Sequence, residues 1–237
     1  MSITLKYWNG RGLMEVPRAC MAIAGKEKGT DYVDGRFSAP PDNIEANLGR
    51  MPCAQVGDAH IGQSVAINFT IASECGMMGS STTEAGQILA IQEHLKEMGT
   101  AFRGLCPYGT EPSTEVLDKW FDSGSTDVSG PADRAGYATR YLTWWMGRIE
   151  ASLGNDGFAV GSKMSLADVL MYNTFAEFLS KEQAAPDFPA WKAEAFGSKA
   201  RVDTKLKNYP KIQASIAAVA ANSGFQNHLA TRGVQGF

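Results

Sequence analysis

The chain has 237 residues, of which 44% are hydrophobic and 20% are charged, and its net charge is −3 at pH 7. These values are typical of a folded globular protein and exclude a disordered or fibrous chain. Its 22 basic residues form no run, which excludes a nucleic-acid or anionic-membrane partner and favours a small molecule or another protein.

In the first third of the chain, sequence patterns typical of strands alternate with those typical of helices. Apolar and polar side chains alternate over 3–7, which predicts a strand with one buried face. A glycine-rich loop follows, and apolar positions at helical spacing predict a helix over 13–24. A second strand is predicted over 31–37, a hairpin over 54–61 and a helix over 64–75. This order predicts an α/β unit with a thioredoxin-like arrangement.

Beyond residue 79 the patterns are those of helices alone. The sequence Ser165-Leu166-Ala167-Asp168 predicts a helix start, because the serine hydroxyl can cap the helix and the acid lies in its positive first turn. The chain is therefore predicted to divide into an α/β domain over 1–79 and an all-helical domain over 84–237. The predicted helices span 84–98, 131–153, 165–181 and 209–222.

A long connection is predicted over 105–133. This stretch is rich in Gly, Ser, Pro and Thr, and only residues 116–121 within it have a helical pattern.

The predicted location is cytoplasmic. The N-terminus has no apolar run before a small-residue cleavage site, and no stretch is apolar enough to span a bilayer. The four cysteines (Cys20, Cys53, Cys75 and Cys106) form no Cys-x-x-Cys pair, so the sequence favours reduced thiols and no metal site.

Tyr7 is the first candidate for chemistry. It ends the first predicted strand, at the edge where open α/β sheets bind ligands. A protonated phenol at that edge can donate a hydrogen bond to a thiolate and stabilise the anion. The alternative interpretation is a half-buried aromatic side chain of the strand.

Two further motifs are candidates for ligand binding. Gln63 and Ser64 lie where the hairpin turns into a helix, and the free amides of a helix start are suited to a carboxylate. Met51 precedes Pro52 just before a strand, where a fixed turn would leave the Met51 backbone free to pair with an extended peptide. The alternatives are an ordinary helix cap and an ordinary loop proline.

These motifs together resemble those of the cytosolic glutathione S-transferases, and the tyrosine-dependent, sigma-like class is the most similar. The likeness runs in order along nearly the whole chain and is most specific in the first domain. It rests on Tyr7-Trp8-Asn9-Gly10-Arg11-Gly12, Glu15, Arg18, Gly49-Arg50-Met51-Pro52, Gln63-Ser64-Val65-Ala66-Ile67, Ser165-Leu166-Ala167-Asp168 and the tail from Asn208 to Leu229.

The resemblance implies a glutathione transferase that conjugates glutathione to hydrophobic electrophiles in detoxification. Tyr7 would stabilise the glutathione thiolate, and Gln63 and Ser64 would hold the γ-glutamyl end. The Met51 backbone, before a cis Pro52, would pair with the cysteinyl amide, and Arg50 would lie near the glycyl carboxylate. Glutathione would be the cosubstrate.

The resemblance also implies a homodimer in which each subunit lends an acid to its partner's site. Glu97 is the expected counterpart of that acid, and Glu93 is the alternative, because both lie on the same predicted helix. The alternative is that both are solvated surface acids.

Two positions depart from the family pattern. Leu13 stands where relatives have an arginine, which implies a more apolar electrophile pocket. The segment 39–43 lacks the family's tryptophan and lysine, which implies altered glutathione binding. The expected lining of the electrophile pocket is Trp8, Leu13, Phe102 and Tyr108.

Three other functions compete with conjugation. Isomerase or peroxidase activity could use the same site, and a non-catalytic ligand-binding or scaffold protein could use the same fold. A cysteine-based oxidoreductase would need a Cys or Ser in the loop at 9–12, which has neither. Cys53 follows Pro52, and its expected role is that of a small buried hydrophobe.

Overall fold

The computed structural model of the chain describes residues 2–39, 48–124 and 140–236. Its first part holds a four-stranded mixed sheet in the order β2-β1-β3-β4. β1 pairs with β2 in parallel and with β3 antiparallel, and β3 pairs antiparallel with β4. The strands are β1 (Ile3–Trp8), β2 (Tyr32–Phe37), β3 (Cys53–Val56) and β4 (Ala59–Gly62).

Two helices complete this α/β part of the chain. A single turn of 3₁₀ helix over Gly12–Met14 leads into α1 (Glu15–Ile23), and α2 (Ser64–Glu74) follows β4 directly. The predicted strands, hairpin and two helices are all present, with one difference. The chain at 12–14 winds more tightly than the predicted α-helix, because Gly12 adopts a left-handed φ of +42°.

Beyond residue 79 the described chain contains seven α-helices, joined by irregular segments and short 3₁₀ turns. These helices are α3 (Thr82–Leu105), α4 (Thr114–Asp122), α5 (Leu142–Ser152), α6 (Leu166–Phe175), α7 (Lys199–Leu206), α8 (Pro210–Ala221) and α9 (Ser223–Thr231). The α/β first half and the helical second half confirm the predicted fold class. The predicted division at residues 79 to 84 lies around the start of α3 and stays a prediction.

Several helix bounds differ from those predicted. α3 extends about two turns past residue 98. α4 occupies part of the predicted connection 105–133, whose residues 125–133 lie outside the described ones. The predicted helix over 131–153 is described from residue 140 onward and begins at Leu142. The predicted helix over 165–181 ends at Phe175, and α7 and α9 were not predicted as separate helices.

The tail after α9 returns to the sheet. Gln235 is completely buried, its backbone amide donates to Gln183 O at 2.7 Å, and its side-chain oxygen accepts from Arg36 Nη1 at 2.8 Å. The next residue, Gly236, lies close to the carbonyl of Asn9, where an added Cβ would be 2.9 Å from that oxygen. The end of the chain therefore lies beside the loop that follows β1.

The start of α6 is fixed by a buried carboxylate. Asp168 is fully buried, and it accepts the backbone amides of Ala159 and Ser165 at 2.8 Å and the Ser215 hydroxyl at 2.5 Å. Together with the Ser165 side chain it forms the predicted capping arrangement. Asp168 thereby ties α6 to α8 and to the loop between α5 and α6.

We expect Asp168→Ala to lower the free energy of unfolding by about 3 kcal/mol, because it takes the acceptor from four buried donors, the amides of Ala159 and Ser165 and the hydroxyls of Ser165 and Ser215. The free energy is measured by urea denaturation. The matched control is Asp203→Ala, which removes an exposed ion pair with Lys199 and should have little effect. Equal losses in the two variants would contradict the role given to Asp168.

Candidate functional site

One edge of the sheet brings the predicted ligand-binding motifs together. Lys6, Cys53 and Gly62 are aligned across β1, β3 and β4 in a single row. Tyr7 follows Lys6, Pro52 precedes Cys53 and Gln63 follows Gly62. These three residues therefore lie one position past the row, at the same edge of the sheet. Since neighbouring strands lie about 4.8 Å apart, the backbones of Tyr7 and Gln63 are roughly 10 Å apart along this edge.

The Tyr7 ring is packed inside the protein, with 7% of the residue exposed. Its hydroxyl lies against the loop after β1, where a Cβ added to Gly12 would be 2.6 Å from the oxygen. Burial raises the pKa of Tyr7, and a backbone hydrogen bond from Leu13 offsets part of that rise. The phenol is therefore protonated at neutral pH, and only a glycine fits at position 12.

Arg18 holds that loop in place. The side chain is completely buried, and its Nη1 donates to the carbonyl of Gly10 at 2.6 Å and to that of Arg11 at 3.3 Å. Its other nitrogens bind the Asp34 carboxylate of β2 at 2.9 to 3.1 Å. A residue of α1 thus joins β2 to the backbone that packs over the Tyr7 hydroxyl.

A wider set of buried charges connects the loop to the helical domain. Glu15 binds Arg232 at 2.8 Å and His228 at 3.0 Å, both on or just after α9. Arg232 also binds Glu177 at 2.7 Å, and Glu177 pairs with Arg11 of the loop. These residues were not predicted as one network, because they lie far apart in the sequence.

The start of α2 presents an open helix end. Gln63 occupies the capping position with a φ of +69° and is exposed, and its side chain makes no capping hydrogen bond. Ser64 is the first residue of the helix, so the interpretation of Ser64 as the ordinary helix cap is wrong. The first turn of α2 therefore begins at the sheet edge, and the free backbone amides of a helix start are able to bind an anion.

The turn before β3 contains a cis bond between Met51 and Pro52. Pro52 is buried, Met51 is half-buried and Arg50 is exposed. The Cys53 thiol donates to the carbonyl of Arg50 at 3.0 Å, and burial raises the pKa of this thiol. Cys53 is therefore a buried, protonated side chain that supports the turn.

A cavity of about 400 Å³ adjoins the loop on the side of the helical domain. Of the four residues predicted to line an electrophile pocket, Phe102 and Tyr108 line it. Trp8 and Leu13 do not: Trp8 is half-buried against the core, and Leu13 is 54% exposed. Other lining residues are Arg11, Gly12, Leu95, Gly99, Arg103, Glu177, Phe188, Trp191, Lys192, Glu194 and Phe196.

Sequence reasoning missed the segment between α6 and α7, which supplies half of these residues. The prediction placed residues up to 181 in a helix, whereas the chain beyond Phe175 is mostly irregular and folds over the cavity. The aromatic residues at 188, 191 and 196 were the available signal, since three large rings in a Pro- and Gly-containing stretch need a surface to cover.

Glu97 and Glu93 lie on the opposite side of α3 from the cavity. Leu95 and Gly99 face the cavity, and positions two residues away on a helix point about 160° to 200° from them. Both acids are exposed, and Glu93 pairs with Lys96 at 3.2 Å. Within one chain they are separate from the cavity. The altered segment 39–43 lies outside the described residues except for residue 39.

No described helix is both long and apolar enough to cross a membrane. No three His, Cys, Asp or Glu side chains among residues 2–39, 48–124 and 140–236 are grouped so that they could hold a metal ion.

The sequence and structure are similar to known proteins. The family model for the glutathione S-transferase C-terminal domain matches residues 123–232. Probable glutathione S-transferase 5 of Caenorhabditis elegans is 28% identical over 82% of this chain and 89% of its own length. S-crystallin 2 of Octopus vulgaris is 24% identical over 98% of this chain and 97% of its own.

A solved structure gives the same architecture. A monomeric glutathione S-transferase of the hookworm Necator americanus superposes with a TM-score of 0.67 at 20% identity, and the superposition covers all of both chains. This likeness confirms the glutathione S-transferase fold. In sequence and in fold, the chain is therefore similar to glutathione S-transferases.

The buried charges should make stability depend on pH. Burial by itself raises the pKa of Glu15, but its bonds to His228 and Arg232 outweigh this effect and lower the pKa from 4.5 to about 2. A carboxyl group whose pKa is lower in the folded than in the unfolded protein stabilises the fold at any pH above its unfolded-state pKa. This stabilisation is lost as the pH falls through its folded-state pKa. We therefore expect Glu15→Gln to lower the urea midpoint at neutral pH, and its deficit relative to the unaltered protein to shrink as the pH falls from about 4.5 to about 2.

The control for this prediction is Glu74→Gln, which changes an exposed acid at the end of α2. Its urea midpoint should follow that of the unaltered protein at every pH. A deficit of Glu15→Gln that stays constant from neutral to acid pH would show that the carboxylate charge is not what stabilises the network.

Proposed function

We propose that this chain is a glutathione transferase in which Tyr7 stabilises the glutathione thiolate, with the fold and family support described above as its premise. The observation that carries the proposal is the register of the sheet. It aligns Tyr7, the cis Met51–Pro52 turn and the open start of α2 along one edge, within the reach of a tripeptide.

The proposed glutathione site uses this edge along its length. The γ-glutamyl carboxylate binds at Ser64 and the first-turn amides of α2, with Gln63 beside it. The cysteinyl backbone pairs with the backbone of Met51, which precedes the cis bond just before β3. Arg50, exposed at the same turn, is the cation proposed for the glycyl carboxylate.

The chemical step requires a thiolate at neutral pH. A free thiol has a pKa of about 8.5, and lowering it by about 2 units takes roughly 2.7 kcal/mol. Tyr7 remains protonated because burial raises its pKa, so it donates its O–H to the sulfur while its oxygen accepts from the Leu13 backbone. The thiol proton goes to solvent, the sulfur forms a bond to an electrophilic carbon, and the displaced group leaves with the bonding electrons.

The proposed electrophile site is the cavity beside Gly12. Gly12 both lines the cavity and lies against the Tyr7 hydroxyl, so the cavity adjoins the proposed position of the sulfur, and Phe102 and Tyr108 provide aromatic walls. Isomerisation or peroxide reduction in this site would use the same thiolate, so the substrate decides among these reactions.

A non-catalytic ligand-binding protein is the second candidate function. Two observations favour it: Leu13 replaces the family's arginine and points into solvent, and one full-length relative is named as a crystallin. Retention on immobilised glutathione, followed by an assay with a chromogenic aromatic electrophile, separates the two functions. Retention without turnover supports the second one.

We propose further that the protein acts in cytoplasmic detoxification and forms a homodimer in which Glu97, or its neighbour Glu93, reaches the partner's glutathione. Both acids are exposed on the α3 face turned away from the cavity, and this position supports the proposal. The described cysteines are all unbridged, which agrees with a reducing compartment. The hookworm neighbour is described as monomeric, so the dimer needs its own test.

Tyr7→Phe should keep glutathione retention and lower kcat roughly 10- to 1000-fold, because it removes one donor that stabilises an anion. The rate is measured with the chromogenic electrophile at saturating glutathione. Tyr32→Phe is the control: Tyr32 is an equally buried strand tyrosine, paired with Ile3 at the other end of β1. Equal rates for the two variants would remove Tyr7 from the mechanism.

Ser64→Ala should weaken glutathione binding about tenfold, since it deletes a hydroxyl that bonds a charged group. The dissociation constant is measured by calorimetry. Ser73→Ala is the matched control, because Ser73 lies in the last turn of the same helix and donates to the carbonyl of Phe69. An unchanged dissociation constant in Ser64→Ala would place the γ-glutamyl group elsewhere.

A further inference from the structure

We propose that the cavity beside Gly12 selects aromatic ligands that carry a carboxylate or a similar anionic group, with Arg103 and Lys192 as the residues that determine this specificity. The inference deepens the proposed function by giving the class of electrophile, and it rests on that function for the reaction itself. Ligand binding by the cavity can be tested without the reaction.

The apolar part of the cavity is built from aromatic rings. Phe102 and Phe196 meet edge to face at 5.1 Å between ring centroids, and both pack against the buried Trp120 at 5.2 and 5.5 Å. Trp191 and Tyr108 add two more rings to the lining. Aromatic walls of this kind favour a flat, apolar ligand.

Most of the charge in the lining is already neutralised. Arg11 pairs with Glu177, which also binds Arg232, so these groups compensate one another within the protein. Glu194 accepts the backbone amide of Lys199 at 2.7 Å, at the start of α7, and so has a structural role.

Arg103 and Lys192 remain as cations without a carboxylate partner. Neither forms an ion pair with another residue in the part of the chain that the structure describes. The Arg103 guanidinium lies 5.3 Å from the ring of Tyr108 and 5.7 Å from that of Phe102, and Lys192 Nζ lies 5.2 Å from the ring of Trp191.

These contacts attach each cation to an aromatic wall of the same cavity. A cation on an aromatic face is oriented but not neutralised, and it keeps its capacity to bind an anion. Glu194 is the one carboxylate beside them that has no cationic partner among the described residues. The two cations outnumber it and so leave the lining with a surplus of positive charge. An aromatic ligand with an anionic group matches both features, whereas an uncharged one matches only the walls.

The test compares two unreactive ligands that differ in charge but hardly in shape, 3,5-dinitrobenzoate and 3,5-dinitrobenzamide. Binding to the full chain is measured by calorimetry at low salt and again at high salt. We expect the benzoate to bind about five- to tenfold more tightly, and the preference to shrink at high salt because the two cations are exposed.

The variants assign the preference to its residues. Arg103→Gln and Lys192→Gln should each weaken benzoate binding several-fold and leave benzamide binding unchanged. Lys163→Gln, which removes an exposed cation outside the cavity lining, should leave both unchanged. Equal or weaker binding of the benzoate to the unaltered chain, or a preference that survives in the double variant, would overturn the inference.

The reactive counterparts, 4-chloro-3,5-dinitrobenzoate and its carboxamide, separate this inference from the proposed function. Glutathione displaces chloride from either compound, and each enzymatic rate is divided by the uncatalysed rate. A charge preference in binding with no turnover of either compound would support the inference and refute the transferase. Turnover of both with no charge preference would do the reverse.

Discussion

The geometry of the candidate site depends on Arg18, a cation with no exposure to solvent. Its guanidinium satisfies the Asp34 carboxylate on one side and the carbonyls of Gly10 and Arg11 on the other. A buried charge is costly unless its donors are used, and here they are used to fix a loop backbone. That backbone covers the Tyr7 hydroxyl, so the position of the phenol depends on an ion pair formed beneath it.

The first domain could be predicted from the sequence because its signals are local. Alternating side chains over 3–7 and a Gly57-Asp58 turn between apolar stretches each determine a strand or hairpin without information from the rest of the chain. The same holds for Gln63 and Ser64, since a helix start follows directly from the end of the hairpin. What the patterns could not supply was the alignment of these motifs along one edge, which the strand pairing supplies.

The cavity was harder to predict because its walls come from distant parts of the chain. Trp8 and Leu13 were expected to line it, yet Trp8 packs against the core, and Leu13, which follows the tight turn at Gly12, is exposed. Residues after Phe175 form the opposite wall of the cavity. The apolar side chains there fit the pattern of a continuing helix, so the helix was predicted to extend too far. Glu177 ends up in the buried network because Arg11 and Arg232 converge on it, and no local pattern contains that information.

The long-range character of these bonds has a consequence for synthesis on the ribosome. Glu15 finds His228 and Arg232 more than 200 positions later, and Arg36 binds Gln235 after 199. The α/β part is synthesised first, and these partners of α1 and β2 are added only after the helices α3 to α8. A nascent chain that stalls before α9 therefore lacks the partners of Glu15 and Arg36, even where its sheet has already formed.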